Sequence, residues 1–96
     1  MTDYIFLMHG DAKADGGAWE PYLGKLKQGG FFEGGSAIGS GVCLRKSGPP
    51  AELSAHIVGF VKVKADSLHQ AKSLVFGNPV FEAGGTVEIR ELPHTN

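Results

Sequence analysis

Apolar and polar positions alternate along this chain with two different periods, and the changes of period divide it into strands and helices. Residues 4–8, YIFLM, are an unbroken apolar run too short for a buried helix and rich in β-formers. They predict a strand covered on both faces, hence a central one. Trp19, Tyr22, Leu23 and Leu26 then fall at i, i+3, i+4 and i+7 and predict a helix with one apolar stripe. Pro21 sits in its first turn, where a missing amide is tolerated, and Gly29-Gly30 stops it. Residues 31–45, FFEGGSAIGSGVCLR, alternate poorly. A strand starting at Phe31 or Phe32, bent across Gly34-Gly35 and continuing from Ala37 to Leu44, makes a kinked edge strand. The glycine spacing matches no phosphate-cradling motif. KSGPPAE at 46–52 is an exposed loop.

Residues 56–64, HIVGFVKVK, carry the clearest strand pattern, with Ile57, Gly59, Val61 and Val63 on one face and Val58, Phe60, Lys62 and Lys64 on the other. Asp66 or Ser67 caps a second helix. Ser67 and Gln70 stand at capping-box spacing, and Leu68, Ala71, Leu74 and Val75 form its buried stripe. Gly77 ends that helix and Asn78-Pro79 forbids its resumption. An irregular polar loop leads to a second turn at Gly84-Gly85. A final strand follows, with Val87 and Ile89 on one face and Glu88 and Arg90 on the other.

The order is β-α-β-β-α-β, which predicts a ferredoxin-like α+β fold: a four-stranded antiparallel sheet with two helices on one face. Strands one and three become central, in keeping with their apolar character. Tyr4, Phe6, Met8, Val58 and Phe60 are then expected on the helix-free face, where a second copy of the chain would cover them.

Ninety-six residues fit one domain with a modest core. Nine basic against ten acidic side chains, scattered along the chain, leave no electrostatic footprint for nucleic acid or an acidic membrane. Asp3 stands where a signal peptide needs positive charge, and the apolar run is too short to span a bilayer, so a soluble cytoplasmic protein is expected. Cys43 is the only cysteine, which excludes an internal disulfide framework, and is read as a small buried residue in a strand.

The segment NPVFEAGGTVEIREL, residues 78–92, resembles the C-terminal signature of the YCII-related family, and the order of elements extends the resemblance over nearly all of residues 1–96. The resemblance implies a single YCII-related domain that associates through its sheet as a dimeric α+β barrel. Members of one branch of that family carry a histidine on the first helix and an aspartate just before the proline after the second, a pair suspected of acid–base work. This chain has Tyr22 and Asn78 at those positions. Tyrosine titrates far above neutrality and asparagine does not titrate, so the same relay cannot run here.

His9 and Asp11 follow the first strand, beside the loop that precedes the first helix. Parity groups His9 with Ile5 and Leu7, expected toward the helices and a cleft there. His9 suits a general base, with Asp11 steadying its imidazolium, or else it is a strand-end histidine bonded to backbone. A planar small molecule against Trp19 and Tyr22, oriented by Asn78, Glu82 and His9, is the pocket these residues suggest; the same aromatics also serve as core. His56, His69 and His94 lie elsewhere, and no histidine spacing suits a metal. The expected function is small-molecule binding, with cofactor-free acid–base chemistry of isomerase or lyase type. The alternative is a non-catalytic ligand-binding or interaction module.

Overall fold

The computed structural model describes residues 1–14 and 17–94. Asp15 and Gly16, in the expected loop after the first strand, and Thr95 and Asn96 lie outside the described residues. The elements are β1 (Thr2–His9), α1 (Trp19–Gln28), β2 (Phe32–Ala37), β3 (Ile57–Ala65), α2 (Leu68–Ser73), α3 (Pro79–Glu82) and β4 (Val87–Leu92). The strands form one antiparallel sheet in the order β2-β3-β1-β4, so the two most apolar strands are central. This is the ferredoxin-like α+β fold. No helix among the described residues is long and apolar enough to cross a membrane.

The core lies between the sheet and the helices. Tyr4, Phe6 and Met8 are buried with Val61, Val63 and Ala65 of β3, Tyr22 and Leu26 of α1, and Ala71 and Val75 near α2. The expectation that Tyr4, Phe6 and Met8 face away from the helices is therefore overturned. Both sets of β1 side chains are apolar, and the bulkier aromatic set fills the space beneath α1 and α2. Ile5, Leu7 and His9 take the other face, where β1–β3 pairing sets Leu7 opposite Phe60 and Ile5 opposite Lys62. Val58 and Phe60 lie on that helix-free face as expected; Val58 is exposed and Phe60 half-buried.

Local chemistry explains the helix limits. Ser67 Oγ accepts from Gln70 N at 3.1 Å, while Gln70 Oε1 reaches back to Asp66 N at 2.6 Å, so the capping residues satisfy two amides at the start of α2. α2 ends at Ser73 with Leu74 as C-cap, short of the expected stop at Gly77, which instead closes the turns that follow at φ 92°. Leu68, expected in the buried stripe, is 54% exposed: within α2 only Ala71 is buried, and Leu74 and Val75 pack against the core from the turn that follows it.

Three further expectations are corrected. Asn78-Pro79 opens the short helix α3, with Asn78 extended as N-cap and Pro79 in the first turn. β2 stops at Ala37, and residues 38–56 form an irregular arm with no strand. Cys43 sits in that arm, half-buried, its sulfur 3.5 Å from the Glu52 carbonyl oxygen.

Candidate functional site

A cavity of about 270 Å³ opens between α1 and the β2–β3 edge, at the lower end of the range for small-molecule sites. Met8, Trp19, Leu23, Phe32, Ala37 and Val61 line it. Gly35 makes room for it: a Cβ there would meet the Phe60 carbonyl oxygen at 2.7 Å, so only glycine lets β2 lie this close to β3. None of the lining side chains ionises. The cavity can therefore hold an apolar or planar body by contact, with Ser36 contributing a small polar residue to its lining.

Beside the cavity, α1 places Trp19 and Tyr22 edge to face with centroids 5.9 Å apart. The Tyr22 hydroxyl donates to the Leu74 carbonyl at 2.7 Å, tying α1 to the end of α2. Burial pushes its pKa up to about 12, against a smaller downward pull from the Asn78 side chain. Tyr22 and Asn78, the positions that the family resemblance pairs, are thus neighbours, but neither exchanges a proton at neutral pH.

Asn78 is fully buried, and its Oδ1 accepts from Val80 N at 2.9 Å and Phe81 N at 3.2 Å. Its Nδ2, turned toward Tyr22, meets no partner with hydrogen-bond geometry. Glu82 Oε2 accepts from Gly77 N at 3.0 Å. Both polar residues of this loop therefore have structural work at the start of α3.

His9 stands apart from these four, on the opposite face of the sheet. The expected direction of its side chain is reversed along with that of Ile5 and Leu7, so the single pocket containing Trp19, Tyr22, Asn78, Glu82 and His9 is not formed. His9 Nε2 lies 2.9 Å from Glu88 Oε1. A carboxylate only accepts, so Nε2 carries the proton and donates it. Arg90 Nη1 donates to the second oxygen of Glu88 at 3.2 Å. The bonds from His9 and then Arg90 hold the Glu88 carboxyl below the usual range. The His56 ring stands edge-on to His9 at 5.0 Å.

Asp11 is engaged elsewhere. Its Oδ1 accepts from Thr86 N at 2.8 Å and its Oδ2 from Thr86 Oγ1 at 2.6 Å, which pins the turn after β1 to the start of β4. These bonds lower its pKa, with a smaller contribution from the charge of His9. Among the described residues no group of three histidine, cysteine, aspartate or glutamate side chains is placed to hold a metal ion.

Glu88, Arg90 and His56 were not singled out from the sequence as site residues. A signal for the first two existed. Asp3 and His9, the polar ends of β1, share parity with Ile5 and Leu7 and mark that face as the outer one. β4 alternation already set Glu88 and Arg90 opposite Val87 and Ile89. The edge-on approach of His56 depends on the register shift between Met8 and His9, which no sequence pattern announces.

No family model and no curated protein matches the sequence. Among solved structures, the chain is similar to 5-chloro-2-hydroxyhydroquinone dehydrochlorinase (TftG) from Burkholderia phenoliruptrix AC1100, in complex with 2,5-dihydroxybenzoquinone. The match has a TM-score of 0.57 at 16% identity and covers 99% of this chain and 96% of that one. At this identity the likeness shows a common fold, one that in TftG accompanies a small planar ligand.

Proposed function

We propose that this chain is a YCII-related small-molecule-binding protein that needs no cofactor and takes a planar, largely apolar molecule into the cavity beneath α1. The observation that carries this function is the cavity itself: about 270 Å³, walled by apolar side chains and edged by Trp19. The planar quinone bound by a protein of like fold supports the ligand class. Tyr22 packs edge-on to Trp19 at the rim, and Asn78 and Glu82 hold the turn into α3 behind it. The chain acts as a homodimer whose helix-free faces meet.

Trp19 is the only tryptophan, so its fluorescence reports on the cavity alone. Titration with 2,5-dihydroxybenzoquinone, corrected for the absorbance of the quinone, should quench it saturably. Ala37→Phe should abolish saturation while leaving the circular dichroism unchanged. Linear quenching in both proteins, with this quinone and with a panel of planar phenols, would sink the proposal.

The ordered His9–Glu88 bond favours a second function, a cofactor-free isomerase or lyase in which His9 moves a proton and Asp11 adds negative charge nearby. Turnover of a discovered substrate should then vary with pH over a range in which His9→Gln does not. Equal rates in wild type and His9→Gln across that range would exclude it.

A further inference from the structure

We propose that Glu88 is the positioning residue of a proton-transfer site on the helix-free face, holding His9 so that Nδ1 is presented as the base. The role rests on the acid–base function just described. It assigns to Glu88 the work that sequence spacing suggested for Asp11.

The geometry separates the two carboxylates. Both oxygens of Asp11 are taken by Thr86. Glu88 instead gives one oxygen to His9 and the other to Arg90, at 2.9 and 3.2 Å. A carboxylate bonded from both sides is biased toward one orientation, and its bond to Nε2 favours one tautomer of the ring. With Nε2–H donated to Glu88, the neutral ring has its lone pair on Nδ1, and no protein group among the described residues bonds that nitrogen. The same bond stabilises the imidazolium formed when Nδ1 takes a proton. The charged and titratable groups around the ring are Glu88 and Arg90 from β4, His56 from the segment before β3, and Asp11 from the turn after β1.

Such a base suits a small carbonyl compound with an acidic C–H or an enolic O–H. The proton passes to Nδ1, and its electron pair stays on the ligand as an enolate or oxyanion. Return of the proton to a different ligand atom completes an isomerisation and restores the neutral ring.

Long-range proton–nitrogen NMR correlation on the intact labelled chain, above the imidazole titration, reads the tautomer with no ligand present. Wild-type His9 should be the Nε2–H tautomer, and Glu88→Ala should convert it to a mixture. Glu88→Asp should retain a measurable bias toward Nε2–H. Followed by carbon NMR, the Glu88 carboxyl should titrate at higher pH in His9→Ala than in wild type. An Nδ1–H tautomer in the wild type, or a tautomer untouched by Glu88→Ala, would overturn the proposal. Because no substrate enters, either result counts against Glu88 itself. A chain that keeps the Nε2–H tautomer but shows no proton chemistry would uphold the positioning and count instead against the acid–base function.

Discussion

Tyr22 shows what one buried titratable side chain does in this fold. Its hydroxyl is buried beside Asn78 and donates to Leu74 O, so it acts as a clamp between helices. Tyr22→Phe should cost about 1 kcal/mol near neutral pH, the size of one net hydrogen bond. Alkaline pH should reverse the order. The unfolded tyrosine ionises near 10, whereas the folded one keeps its proton to about 12. Stability from this group is thus complete below the unfolded value and lost as pH rises through the folded one, by about 2–3 kcal/mol in all. Urea unfolding at pH 9 and at pH 11.5 should show wild type ahead at the first and Tyr22→Phe level or ahead at the second. A constant difference would mean that the buried hydroxyl is not what titrates. At the acid end the signs run the other way. Asp11 and Glu88, both depressed, contribute above the usual carboxylate range and lose that contribution as pH falls through their folded values.

The helix starts at Trp19 and Ser67 were legible from local rules, and the strand order from the sequence of elements and their crossovers. The stripe at Trp19, Tyr22 and Leu26 and the Ser67–Gln70 cap are decided by residues within two turns of each other, whereas the expected stop at Gly77 lies beyond the true end of α2 at Ser73. The direction of β1 was not legible, since Tyr4, Phe6 and Met8 are no more apolar as a class than Ile5 and Leu7, and only packing against the helices chooses between them. That one reversal moved His9 to the other face and divided the expected pocket. The helix α3 escaped notice for a different reason: Asn78-Pro79 reads equally as a stop and as an N-cap with its first-turn proline. Asn78→Ala tests which side chain makes α3. It should free the Val80 and Phe81 amides, speed hydrogen exchange from Val80 to Glu82, and cost about 1–2 kcal/mol, as lost caps do. Unchanged protection would show that Pro79 and Glu82 suffice to hold the turn.

The whole molecule is broader than its length requires. Its radius of gyration is 14.8 Å, against about 12.5 Å for a compact chain of this size. The irregular arm over 38–56 carries Val42 and Leu44 at 82% and 92% exposure. Beside it, the helix-free face presents Ile5, Leu7, Val58 and Phe60 among the charges of Lys62, Glu88 and Arg90. The helices cover one face of the sheet and leave the other with apolar residues, and pairing two such faces back to back would give a 96-residue chain the cover its open face lacks. The same pairing would enclose His9 and Glu88 and keep bulk water from their bond, which strengthens it. Phe60 lies opposite Leu7 near the middle of this face, so Phe60→Asp would set an unpaired charge inside the contact. Sedimentation at micromolar concentration should find the wild type as a dimer and Phe60→Asp as a monomer, or as insoluble protein if the face cannot stand exposed. Leu26→Asp, on the helix side, should unfold the chain instead, which separates loss of contact from loss of core. A soluble wild-type monomer under these conditions would refute pairing through the sheet and leave the His9–Glu88 bond open to solvent.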